Sequence, residues 1–162
     1  FQSFVDPGHA LPYFITELTG ITDQMLVSAP FIDEILPSLF EFLGSAEETV
    51  VVAHNSPFDL SFLKAASIAH EMPWPEYVTV DTARLARAVL ERDEVINCKL
   101  STLALFFGAT TSPNHRALDD ALATVDVLHG LIERLAGFDI YNFEEMRSFP
   151  SKKRRAKRPI AE

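Results

Sequence analysis

Thr49-Val50-Val51-Val52-Ala53-His54-Asn55-Ser56-Pro57-Phe58-Asp59 is the stretch whose reading decides the fold. Its first five residues are short, β-branched and apolar throughout, which predicts a strand covered on both faces, as in a sheet flanked by helices. The switch that follows is abrupt. Ser56 is a good N-cap and Pro57 suits the first helical position. This helix should run to about His70, before Met72-Pro73-Trp74-Pro75 breaks it. His54 and Asn55 then fall at the carboxyl end of a buried strand, where open α/β sheets place their ligands. A polar pair there costs desolvation unless it is used or bonded.

Working outward, Phe1–Val5 reads as a strand entering a turn at Pro7-Gly8. Leu11–Thr19 and Thr22–Ser28 read as helical turns parted by Gly20, with Thr22 or Asp23 capping the second. Pro30 opens a helix through Leu43 that carries Phe31, Ile35, Leu39 and Phe42 near one face and ends at Gly44. Downstream, Tyr77–Val80 is a second short strand, and Asp81 or Thr82 caps a helix to about Leu90. Another helix spans Lys99–Phe107 before Gly108, and a long one runs from about His115 to Leu135. A short amphipathic piece lies near Phe143–Met146. Strands alternating with helices predict an α/β fold with a mixed central sheet.

Bulk properties fit one domain of ordinary size. The 162 residues are 48% hydrophobic and include 13 Phe, ample material for a core without disulfides. The single cysteine, Cys98, excludes an internal disulfide, and no apolar run approaches the ~20 residues of a membrane span. A cytoplasmic location without membrane contact is the expectation. Residues 1–150 carry 8 Lys and Arg against 22 Asp and Glu, whereas residues 151–162 carry 6 against 1. An acidic body argues against a broad grip on duplex DNA. It agrees with clustered carboxylates whose charge is offset by divalent cations. The basic run Lys152-Lys153-Arg154-Arg155-Ala156-Lys157-Arg158 reads as a linker or a nucleic-acid contact.

Two elements carry candidate chemistry. Asp59 falls about three positions inside a helix, where the dipole favours an acid in any case; its neighbours His54 and Asn55 are what mark it. Phe58 and Phe62 flank it, each suited to packing against a base or to filling the core, Phe62 more to the core. The second element is His115-Arg116-Ala117-Leu118-Asp119-Asp120 at the head of the long helix. At ~100° per residue, Ala117, Ala121, Thr124, Val127, Leu128 and Leu131 form a buried arc that includes Asp120. Asp119 falls with Ala123, Asp126 and Gly130 on the solvated side. A carboxylate turned toward the core is costly unless paired or metal-bound, so Asp120 is the candidate ligand and His115 is free to reach the same cleft.

From Phe1 to about Leu135 the chain resembles the DEDDh 3′→5′ exonucleases, the family of the proofreading epsilon subunit of bacterial DNA polymerase III. The residues that carry the likeness are His54-Asn55-Ser56-Pro57-Phe58-Asp59, His115 and Asp120 as His-x-x-x-x-Asp, Ile15–Thr22 and Val80–Arg87. The resemblance implies a ribonuclease H-like exonuclease fold over residues 1–137, with 138–162 as an amphipathic piece and basic linker. It implies that Asp59 and Asp120 are two of four carboxylates holding two Mg²⁺ or Mn²⁺ ions, and that His115 is the general base. It implies a substrate at a single-stranded or frayed 3′ end of DNA, with His54, Asn55 and Phe58 shaping its cleft.

The family's Asp-x-Glu strand is not among the 162 residues. The chain therefore reads as part of a longer protein, with little activity by itself and one or more amino-terminal strands owed to the sheet. Its far end resembles the linker of fusions in which the exonuclease precedes a GIY-YIG nuclease domain, which points to repair; a polymerase partner points to proofreading. Two rival readings remain: an exoribonuclease like RNase T or oligoribonuclease, and a catalytically silent docking module.

Overall fold

The computed structural model of the chain describes residues 1–156, with side chains described through residue 149. The basic run at 152–158 therefore lies outside the described side chains. In chain order come α1 (Tyr13–Thr19), α2 (Asp23–Leu26), α3 (Ile32–Leu43), β1 (Val50–Ala53), α4 (Ser56–Ala69), β2 (Val78–Asp81), α5 (Thr82–Val89), α6 (Leu100–Phe107), α7 (Ala117–Ala136) and α8 (Phe143–Ala156).

β1 and β2 pair in parallel, Val50 opposite Val78 and Ala53 opposite Asp81. The helix α4 between them makes the pair one βαβ crossover. Among the described residues this is the whole sheet. Cover on both faces was expected for β1, yet Val50 and Val52 are 39% and 36% exposed. The first residues also depart from expectation: Phe1–Val5 forms no strand. Beyond it, Asp6 N–H donates to the Pro30 carbonyl at 2.9 Å, and Phe1 stacks on Phe42 at 5.7 Å. Phe1 has no strand partner here, so its ring finds an aromatic one.

The core lies where α5, α6 and α7 meet. Leu85, Ala86, Val89, Leu103, Val127, Leu131 and Leu135 form its centre, and Met146 and Phe149 of α8 pack against it. Close approach of α6 to α7 depends on Gly130. A Cβ there would lie 2.2 Å from Cδ1 of Phe107.

Helix α7 corrects the angular reading. Its buried residues are Ala123, Thr124, Val127, Leu131 and Leu135, whereas Ala117 and Ala121 are exposed. The reason is that α7 is apolar on two sides. Leu118, Leu122, Val125 and Ile132 form a second stripe, each 45–48% exposed. Apolar periodicity finds both stripes and cannot choose between them; the side with small Ala123 and Gly130 faces α6. In α3 the buried centre is Leu36, and Phe31 and Phe42 are exposed.

Candidate active site

Both candidate acids sit near the start of a helix that is entered through a left-handed residue. Asn55 (φ 65°) is the N-cap of α4, so the helix starts one residue before the expected place, with Ser56 as its first residue. His115 (φ 65°) stands just before Arg116, the N-cap of α7. Non-glycine residues seldom adopt this conformation, and Asn and His are among those that tolerate it. Both turns are held by carboxylates. Asp81 Oδ1 accepts N–H bonds from Ala83 (2.9 Å) and Arg84 (3.2 Å), capping α5 as expected, and a third from Asn55 at 3.1 Å. Asp120 Oδ1 accepts from the backbone N–H of Asn114 at 3.0 Å and of His115 at 3.2 Å.

Asp59 and Asp120 face one another's charge. Partial desolvation holds the Asp59 carboxyl above its ordinary value, and the negative charges of Asp120 and Asp81 push it further up; its own backbone N–H and His54 pull it back. The two acids are not on opposite sides of the molecule. Asp120 acts on Asp59 through its charge and on His115 through the backbone N–H it accepts.

Asp119 is half-buried like Asp120, not turned to solvent, and its Oδ2 accepts from Asn114 Nδ2 at 2.7 Å. Asn114 is the residue that sequence reasoning missed. It bonds Asp119 and Asp120, and its Oδ1 accepts the Arg116 N–H at 3.0 Å. The signal was its place between Pro113 and His115, since Asn side chains bond their own backbone two residues on.

His54 is held on both ring nitrogens. Nδ1 lies 2.9 Å from Thr82 Oγ1 and Nε2 lies 3.1 Å from the Cys98 carbonyl. The carbonyl can only accept, so Nε2 carries the proton and Nδ1 accepts from the threonine hydroxyl. Burial lowers the His54 pKa against the raising effects of the Cys98 carbonyl and Asp81. The ring thus joins the end of β1 to α5 and to the loop before α6. Phe58 and Phe62, by contrast, stand out: they are 61% and 63% exposed, edge to face at 5.1 Å. The core role expected for Phe62 is not what it has here, because no described element lies over that part of α4.

The donor set suits a hard divalent cation in kind, since two carboxylates of like charge are crowded where a cation would offset them. It is not complete. Among the described residues no three His, Cys, Asp or Glu side chains converge to hold a metal, and such ions want about six oxygens. No helix among the described residues is long and apolar enough to cross a membrane.

Residues 1–128 match the family model described as Exonuclease. A protein of Mycobacterium tuberculosis (strain CDC 1551 / Oshkosh) named as a bifunctional exonuclease/endonuclease is 46% identical over 165 residues, covering all of this chain and 25% of the relative. A PolC-type DNA polymerase III of Caldanaerobacter subterraneus subsp. tengcongensis is 38% identical over 148 residues, 91% of this chain and 10% of the polymerase. The chain thus spans a quarter or less of the length of these relatives. Among solved structures, Exonuclease X in complex with 5′ overhanging duplex DNA superimposes with a TM-score of 0.65 at 23% identity, over 91% of this chain and 78% of that one. At that identity the likeness shows the fold, which is the ribonuclease H-like exonuclease fold expected.

Proposed function

The chain belongs to the exonuclease family, and from that premise we propose that it is the site-bearing part of a metal-dependent 3′→5′ exodeoxyribonuclease. What supports this reading is the negative charge of Asp120 acting on the Asp59 carboxyl, while Asp120 also bonds the backbone of the His115 turn. DNA is favoured over RNA by the PolC-type polymerases among its relatives.

In this reading the Asp59 and Asp120 carboxylates would hold divalent Mg²⁺ or Mn²⁺, two ions in the full site. Bound there, such ions polarise the phosphodiester and lower the pKa of water. His115 takes the proton of the attacking water through its imidazole, as a general base. Asn55 sets the entry to α4, and the exposed Phe58–Phe62 pair offers a face on which a terminal base stacks. His54 acts from behind, fixing the end of β1. The product is a nucleoside 5′-monophosphate.

Two carboxylates hold a hard cation poorly, so the isolated chain is expected to cut slowly or not at all. The open edge of β1 and the exposed Val50 and Val52 suit a further strand bearing the remaining acids. The name of the mycobacterial relative, which pairs exonuclease with endonuclease, supports a fused nuclease; a GIY-YIG partner and a role in repair rest on the resemblance of the carboxyl-terminal sequence to the linker of such fusions.

The test is degradation of 3′-labelled single-stranded DNA and RNA by the full-length protein and by this chain, with Mg²⁺ or with EDTA. The reading expects mononucleotide release from DNA by the full-length protein, lost in EDTA and far weaker for the chain. Preference for RNA would move it to the exoribonucleases. No cleavage of either with metal present would leave a docking module.

A further inference from the structure

One side chain ties the loop before α7 to an element almost a hundred residues away. Arg116 Nη1 donates to the Thr19 carbonyl at 3.1 Å. Thr19 is the last residue of α1, and the final carbonyls of a helix lack partners within it and favour a cation. Gly20 follows with φ 67°, and a Cβ there would lie 3.7 Å from the same arginine nitrogen. The guanidinium therefore lies against bare backbone. At its other end Arg116 is also held, its N–H on Asn114 Oδ1.

Between these anchors stands His115 in the left-handed region. That conformation is unfavourable for a residue with a Cβ, and persists where the surroundings over-determine it. Asp120 grips the His115 backbone from one side; the Arg116 anchor fixes the next residue from the other. We infer that Arg116 is a positioning residue: by fastening the start of α7 to the end of α1, it fixes the turn at His115 and so the direction from which that imidazole meets water. The inference rests on the exonuclease reading above. In this role Arg116 acts through His115 and not on the substrate, so its loss falls on kcat.

The experiment uses the full-length protein, 3′-labelled single-stranded DNA and Mg²⁺. Arg116→Met removes the donors and keeps the stem; Arg116→Lys keeps a donor. Arg116→Met is expected to lower kcat about tenfold to a hundredfold with KM within about twofold, as for a misplaced catalytic group, and Arg116→Lys to restore most of it. Backbone NMR of the same variants reads the turn: the left-handed shifts of His115 should vanish in Arg116→Met while those of α5 and α6 persist. Unchanged kcat, unchanged His115 shifts, or a raised KM with kcat intact would overturn the proposal, the last by making Arg116 a nucleic-acid contact. If Arg116→Met does not fold, Arg116→Lys decides: high kcat with the His115 shifts kept supports the anchor, and high kcat with them lost refutes it. If the unsubstituted protein cleaves nothing, the exonuclease reading falls separately, and the His115 shifts alone then decide whether Arg116 holds the turn.

Discussion

The Asp120 carboxylate accepts the backbone N–H of His115 at 3.2 Å, so the acid proposed to hold the cation also shapes the turn that carries the proposed base. One residue thereby couples charge and geometry, and substitutions at that position separate the two.

Asp120→Asn keeps an oxygen acceptor for the Asn114 and His115 N–H groups and removes the charge. It should melt within about 1 kcal/mol of the parent while cleavage falls by about a hundredfold or more, the size expected when charge aimed at the transition state is lost. Asp120→Ala should lose the turn as well, at a further cost of about 0.5–1.5 kcal/mol for each of two exposed hydrogen bonds replaced by bonds to water. Thermal melts beside oligonucleotide assays check both; equal stability of the two variants would show that the turn stands without the carboxylate.

Asp59→Asn should melt higher than the parent in metal-free buffer at neutral pH, because it removes a carboxylate crowded by Asp120 and Asp81. In the full-length protein, adding Mn²⁺ should raise the parent's melting temperature and narrow that gap, since ligands of the native state stabilise it by mass action. A parent indifferent to Mn²⁺ would count against a cation at these carboxylates.

His54 makes stability depend on pH. Its folded pKa lies below the unfolded value of about 6.5, so above that value both states hold the ring neutral and the His54 contribution is fully present. As pH falls below about 6.5 the unfolded chain takes up the proton first, and the contribution is lost down through the folded pKa. Melting temperatures from pH 8 to pH 5 should therefore fall more steeply for the parent than for His54→Gln. Parallel curves would remove the neutral, doubly bonded imidazole from the account.

Gly130→Ala should destabilise. In an open helix this change gains about 1 kcal/mol, but here the new methyl would lie 2.2 Å from the Phe107 ring, and overpacking costs about 1–3 kcal/mol. Urea melts should show a lower midpoint for Gly130→Ala and its recovery in Gly130→Ala with Phe107→Leu.

The helix and strand order was legible because each switch is punctuated: Asn55-Ser56-Pro57, the Asp81 cap and Gly44 and Gly108 each act through local backbone chemistry. The two acids and the histidine of the candidate site were picked out for a similar reason, as polar residues placed at the starts of helices. What the sequence hid depends on partners far along the chain. Which side of α7 is buried turns on Ala123 and Gly130 meeting α6, not on apolarity, since both sides are apolar. Phe62 was read as core because an aromatic beside a strand usually finds a cover, and here none of the described elements provides it. The Arg116–Thr19 bond spans 97 positions, and no local pattern announces it.

The bare flank of β1 has a consequence at the bench. Among the described residues its backbone groups have no strand neighbour on one side, and Val50 and Val52 leave oily surface beside them, the combination that lets one molecule zip onto the next. As concentration rises, light scattering should climb, and a lysine in place of Val52 should suppress it without touching the acids of the cleft.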